Sequence, residues 1–292
     1  MTCFFVFYKT GGDKMEQRNR AEGWKHAKRS GHKNESIISR LTKEDEEIQK
    51  RIFTTAKISK SKIKSIEPLD GKEVYVDCIF EGTTTSKTDV YINLVSGESI
   101  NVSIKKSEGG QVFLIGIDRF IEGFEKQYNK LIPDDVKRAI SLFWGSAEDT
   151  LDIVKKYGYG DKSYETRKHR LVKETLDAYN KSLSNVLIDW FNKNMENIFD
   201  FCFSKGLAKY EKDWAKVLWY KNELSENDLD DLFLIDEIKK KLPKNAEFGN
   251  RNGGTTIQLP FGFVQWHSPT KVIPGSIQFH HNYIKIKELM EG

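Results

Sequence analysis

A carboxylate at the head of one short apolar run and a lysine at the tail of the next are the residues best placed to do chemistry together. Residues 86 to 94 read Ser-Lys-Thr-Asp-Val-Tyr-Ile-Asn-Leu, residues 95 to 99 Val-Ser-Gly-Glu-Ser, and residues 100 to 106 Ile-Asn-Val-Ser-Ile-Lys-Lys. Two alternating β-branched runs around Ser96-Gly97-Glu98 predict a β-hairpin. Antiparallel pairing lays the start of one strand beside the end of the other, so Asp89 and Lys105 share one end of the sheet. An acidic metal ligand beside a lysine is the minimum equipment for metal-assisted phosphodiester hydrolysis. Gly109-Gly110, which follows, can let backbone approach a phosphate closely.

The elements that must hold this pair can be sketched from periodicity. A helix is expected from Glu35, with Ile37, Ile38, Leu41, Ile48, Ile52 and Phe53 as its apolar stripe and Glu44 to Glu47 solvated. Residues 58 to 67 are lysine-rich and read as a connector. Residues 73 to 81 alternate like a strand able to pair with the hairpin, and the threonine-rich 82 to 86 read as a loop delivering Asp89. Residues 111 to 115 return as a strand, and 117 to 131 look helical. Pro133 opens a further helix that Gly145 breaks. Residues 147 to 241 read as predominantly helical, their aromatics as core. Residues 255 to 259, 261 to 267 and 276 to 284 switch to β, with turns between them.

The chain has 292 residues, 38% of them hydrophobic and 31% charged, enough for a substantial core in one large domain or two. A net charge of +4 permits a polyanionic partner without requiring one. Cys3, Cys78 and Cys202 are too few and scattered for a disulfide framework or a Cys-rich zinc site, and suit a reducing cytoplasm. The apolar run at 2 to 8 reads as neither a signal peptide nor a membrane span.

The hairpin's residues resemble a known pattern. An Asp opening one strand, a turn, and x-x-Lys closing the next is similar to the PD-(D/E)xK nucleases, which include many type II restriction endonucleases. Thr88-Asp89 stands where that family has Pro-Asp or a variant, and Ser103-Ile104-Lys105 where it has Asp/Glu-x-Lys. Ser103 departs from the pattern, and a hydroxyl is a poor substitute for a carboxylate on a hard cation. The resemblance implies an α+β fold with an α/β core: a restriction-endonuclease-like mixed β-sheet flanked by helices, with a helical region and a C-terminal antiparallel β element. It divides the chain into a nuclease core (1–145), a helical region (146–245) and a C-terminal β segment (246–292), which together can form one compact domain.

What the resemblance implies for function is a Mg²⁺-dependent enzyme of restriction-modification type that cuts double-stranded DNA at a short sequence, with a homodimer as one arrangement. Asp89 and a second carboxylate would hold Mg²⁺, and Lys105 would orient or activate water and steady charge on the phosphate. In such nucleases a helix before the hairpin often supplies an acid, which makes Glu35 the candidate; the alternative is that Glu35 merely favours a helix N-terminus. Others move the acid onto a later helix, so Glu122 and Glu125 are its rivals.

Further residues could meet DNA. Residues 10 to 34 are polar and basic with little periodicity. Lys25, Lys28 and Arg29 beside Trp24 suit an arm that tracks phosphates, or a solvated loop pinned by a buried Trp. Lys106 would face away from the site or touch the backbone. Gln111 follows the double glycine. Gln258, Gln265, His267, Gln278 and His280 carry the amide and imidazole groups that read base edges, or else form the polar side of an ordinary sheet. A zinc centre at His267, His280 and His281 lacks a proper ligand set, since adjacent histidines face opposite sides of a strand. Two other classes compete with the nuclease: a non-catalytic nucleic-acid-binding protein on a degenerate scaffold, which Ser103 favours, and a helical interaction protein whose hairpin is ordinary β structure.

Overall fold

A computed structural model describes residues 20–158, 170–224, 229–251, 253–267 and 276–292, with side chains from residue 31 onward and His267's excepted. It opens on α1 (Arg20–Glu44) and α2 (Glu46–Thr55). The helix therefore begins well before Glu35, and residues 20 to 34 are not the loop or arm expected from their aperiodic polarity. Alanine, glutamate, lysine and arginine are good helix formers, and here they outweigh Gly23 and Gly31. Asp45 separates the two helices and caps the second, its carboxylate accepting from the Glu47 and Ile48 N–H groups.

The lysine-rich stretch expected as a connector is β1 (Ile63–Pro68), and it takes the place beside the hairpin assigned to residues 73 to 81. Those residues form β2 (Tyr75–Asp77), which pairs only with β3 (Thr83–Thr85) in a two-stranded ribbon. The sequence cue failed because both stretches alternate, and only one can occupy the edge. The expected hairpin is β4 (Val90–Leu94) and β5 (Asn101–Lys105), antiparallel with Val90 opposite Val102. Next come β6 (Gly109–Gly116), α3 (Ile117–Tyr128), α4 (Asp134–Trp144) and α5 (Thr150–Tyr157). Pro133 caps α4 and Gly145, at φ +81°, ends it in the left-handed region that favours glycine.

The expectation of helix from 147 to 241 holds for α5, α6 (Lys173–Lys193), α7 (Met195–Asp200), a π turn at Phe201–Lys205 and the closing residues 235 to 241, and fails between the last two. Residues 215 to 221 and 230 to 234 are β7 (Ala215–Lys221) and β8 (Asp230–Leu234). β7 is buried on both faces, so Val217, Leu218, Trp219 and Tyr220 show no alternation to mark it as a strand. It pairs in parallel with β5, Lys105 lying opposite Tyr220, and gives a five-stranded mixed sheet ordered β1-β4-β5-β7-β8.

The chain closes with α8 (Ile235–Lys241), β9 (Glu247–Phe248), β10 (Thr256–Leu259), β11 (Gly262–His267), β12 (Ser276–Asn282) and α9 (Tyr283–Glu291). The three C-terminal strands are as expected except at the end: Asn282 caps a helix where residues 283 and 284 were read as strand. They belong to a five-stranded antiparallel sheet, ordered β6-β12-β11-β10-β9. Its first strand, β6, directly follows the hairpin. This is the mixed α+β class expected from the sequence.

Two cores result. A small one packs Ile38, Ile52 and Phe53 of α1 and α2 on Val90, Ile92, Val102, Ile104, Val217 and Trp219. A larger one joins Leu218 and Tyr220 to the helices and the inner face of the second sheet. Ser103 and Lys105 alternate with Val102 and Ile104 along β5, so they point away from the small core. Among the described residues no helix is long and apolar enough to cross a membrane.

Candidate active site

Asp89 stands one residue ahead of β4 and is tied to β5 twice. Its N–H donates to the Val102 carbonyl at 2.8 Å, and its Oδ2 accepts from the Ile104 N–H at 2.6 Å. Lys105 ends β5, and its Nζ donates to Ser103 Oγ at 2.8 Å and to the Ile104 carbonyl at 3.0 Å. The hairpin thus brings the acid and the lysine to one strand end. Ser103 is 1% exposed, and it holds the lysine rather than standing in for a carboxylate.

Glu35 arrives from α1 because the residue before it is an anchor. Asn34 is fully buried; its Nδ2 donates to the Lys221 carbonyl at 2.9 Å and its Oδ1 accepts from the Glu223 N–H at 2.8 Å. Both partners lie at or just past the C-terminal end of β7, which runs parallel to β5, so the anchor sets α1 against the end that carries Lys105. One turn earlier, His32 Nδ1 lies 3.4 Å from Glu35 Oε2. Gly71 presses on the same turn: a Cβ there would stand 2.2 Å from the His32 carbonyl oxygen, and its φ of +67° suits glycine.

Burial pushes the Asp89 carboxyl up to about 7, and the negative charge of Glu35 adds to the rise. Lys105, the Ile104 N–H and His32 oppose it without cancelling it. Burial also lowers the Lys106 ammonium against the attraction of Glu35. Lys106 is half-buried.

Sequence reasoning missed three groups here: Asn34, His32 and Lys87. Burial lowers the Lys87 amine to about 7, helped by Lys105 and opposed by Cys202 and Asp89. Its Nζ donates to the Val112 carbonyl at 3.1 Å and lies 3.7 Å above the centre of the Phe113 ring. Its position two residues before Asp89 was the available signal. Asn34 and His32 offered none, because the stretch holding them was not read as helix.

The rival carboxylates stand elsewhere. Glu122 is exposed on α3. Glu125 accepts from the Ile132 N–H at 2.7 Å and pairs with Lys137 at 2.7 Å; against the effect of burial, these contacts hold its carboxyl below the usual range. Neither is among the charges acting on Asp89, which include Lys105, Glu35, His32 and Lys87. Lys25, Lys28 and Arg29 fall on the backbone of α1, but their side chains, like that of His267, lie outside the described residues.

The remaining candidates line the outer face of the second sheet in two rows. Cross-strand register places Gln258, Phe263, His280 and Gln111 in one row. The second row holds Thr256, Gln265, Gln278 and Leu114. Gln265 donates to Gln278 Oε1 at 2.8 Å, and Gln278 donates to Gln111 Oε1 at 2.6 Å. Gln265 Nε2 also lies 3.2 Å from His280 Nε2, and the His280 ring stacks on Phe263 at 4.4 Å and 7°. His281 faces inward, 3.0 Å from the Tyr220 hydroxyl; burial, with the charges of Lys105 and His280, lowers it to about 3 and keeps it neutral. Among the described residues no three His, Cys, Asp or Glu side chains are grouped to hold a metal ion.

No protein-family model matches the chain, and no curated protein matches it. Among solved structures, the restriction endonuclease MspI in complex with its cognate DNA is similar over 89% of this chain and 88% of that one, with 11% identity and a TM-score of 0.43. At that score the likeness carries no functional weight, so the site's own geometry has to.

Proposed function

We propose that this chain is a Mg²⁺-dependent endonuclease of the PD-(D/E)xK kind that hydrolyses phosphodiester bonds of double-stranded DNA at a short sequence. One observation carries the reading. Asp89, just ahead of β4, and Lys105, at the end of β5, meet at one strand end, and the Asn34 anchor sets the helix carrying Glu35 against that same end. A half-buried carboxylate beside a second one is unfavourable on its own, which is why Asp89 resists ionisation; the arrangement makes chemical sense around a cation.

The donor set fits Mg²⁺, a hard cation commonly held by one or two carboxylates with water and substrate phosphate completing its shell. Glu35 and Asp89 would hold it, and when bound it would supply Lewis-acid stabilisation and a more acidic water. The chain's own residues do the rest. The Ile104 N–H fixes one oxygen of Asp89 and leaves the other for a ligand. Ser103 and the Ile104 carbonyl fix the Lys105 ammonium, which can then donate to the attacking water or to a phosphate oxygen gaining negative charge. Lys106 adds positive charge for the DNA backbone.

A second reading, binding of nucleic acid without cleavage, is favoured by Ser103 at the position where the family has an acid. The two readings part on Glu35. Replacing Glu35 by Gln should abolish Mg²⁺-dependent cleavage while the same change at Glu122 or Glu125 leaves it near the native rate. Equal activity of all three variants would remove the two-carboxylate site.

A further inference from the structure

The outer face of the second sheet is unlike an ordinary solvated strand surface. In a chain with 31% charged residues, its two cross-strand rows hold amides, a hydroxyl, an imidazole and two apolar side chains, with one charge, Glu247 of β9, at the far end beyond Gln258 and no cation. A surface for phosphates needs Lys or Arg, and these rows have neither. What they offer is paired donors and acceptors at a spacing set by the strands.

The amides are also ordered before any ligand arrives. The hydrogen bonds run one way, from Gln265 to Gln278 to Gln111. Free glutamine side chains lose substantial rotamer entropy on binding; these have already lost it on folding. At the end of the run, Gln111 is exposed and its Nε2 makes no hydrogen bond among the described residues, while its Oε1 keeps a lone pair. Phe263 and Leu114, the latter 39% exposed, supply apolar contact beside the amides.

We infer that this face reads base edges of duplex DNA and that the sequence it selects contains A·T pairs. The inference rests on the nuclease reading only for the duplex being DNA. A glutamine amide donates to and accepts from the adenine edge in the major groove, and an apolar side chain meets the thymine methyl. Guanine is read chiefly by Arg or Lys, which the rows lack. The sheet adjoins the proposed site: Gln111 follows Lys105 by a few residues, and on the inner side of the same strand as His280 the His281 ring meets Tyr220, the strand neighbour of Lys105.

The test is selection from a random-sequence duplex DNA pool by the full chain carrying Lys105→Ala, in Mg²⁺, with a random single-stranded pool alongside. The inference expects a duplex motif containing A·T pairs. Gln278→Ala and Gln111→Ala, each added to Lys105→Ala, should lower the preference for that motif over scrambled duplex by about 10-fold, with scrambled-duplex affinity unchanged. N6-methyladenine at the contacted position should have the same effect as the substitutions. A motif of G·C pairs alone, no motif, or preferential capture of the single strand would each overturn it. Failure of the native chain to cut DNA would overturn the nuclease reading instead, and the selection would still decide this one.

Discussion

Replacing Asp89 by Asn should make the protein more stable at pH 8 while removing cleavage. The carboxyl is pushed from 3.8 to about 7 in the folded chain, chiefly by burial. A raised carboxyl favours folding relative to its ionised form only while it is protonated. That contribution is fully present below the unfolded value near 4 and is lost as pH rises through about 7. At about 1.4 kcal/mol per pH unit, the difference amounts to on the order of 2–4 kcal/mol above pH 7. The attraction of Lys105 is already contained in the shift, so Asn, which can still accept from the Ile104 N–H, recovers most of it. Urea denaturation of both proteins at pH 4 and pH 8 measures the effect. The gain should be close to zero at pH 4 and largest at pH 8, and adding Mg²⁺ at pH 8 should raise the melting temperature of the native chain but not of the variant. An Asn variant no more stable at pH 8, or equally stabilised at both pH values, would refute the account of a frustrated carboxylate waiting for a cation.

Three more substitutions probe the supports. Ser103→Ala removes the hydroxyl that holds the Lys105 ammonium; cleavage should fall by about 10-fold or more with DNA affinity nearly unchanged, as single-turnover rates and a binding titration would show. Asn34→Ala leaves the Lys221 carbonyl and the Glu223 N–H without their partner, costing about 1–3 kcal/mol by denaturant titration; because the anchor sets Glu35, cleavage should fall even at temperatures where the variant is fully folded. Asp230, against the effect of burial, is held down to about 2 by hydrogen bonds from Arg51, Lys221 and Trp219. Its stabilisation is present above about pH 4 and lost as pH falls toward 2. Asp230→Asn should therefore cost about 1–2 kcal/mol at pH 7, after discounting for solvent screening, and little at pH 2; an equal cost at both would assign the effect to packing.

The hairpin was legible because its strands alternate around a glycine turn and one of its faces is buried, and the same pairing logic put Asp89 beside Lys105. Glu35 was legible only through resemblance, and for a mistaken local reason, since it lies inside α1 rather than at its start. What places it is Asn34, a single buried amide whose partners are nearly two hundred residues away in sequence; no local pattern encodes that. β7 was lost for a related reason. A strand covered on both faces carries no alternation, so Trp219 and Tyr220 looked like the aromatics of a helix. β1 was hidden by the lysines around its start and by its own Lys64, which an edge strand tolerates because its outer side meets water. The polar rows of the second sheet were visible as composition, but their ordering into a directed run of amides follows from cross-strand register.

The most direct test of the central claim is incubation of the purified chain and its Lys105→Ala variant with unmodified phage DNA, in Mg²⁺ and in EDTA. The account predicts discrete fragments from the native chain in Mg²⁺ alone and intact DNA in the other three reactions. Cutting by the Lys105→Ala variant, or by the native chain in EDTA, would contradict it, and so would DNA left whole in all four.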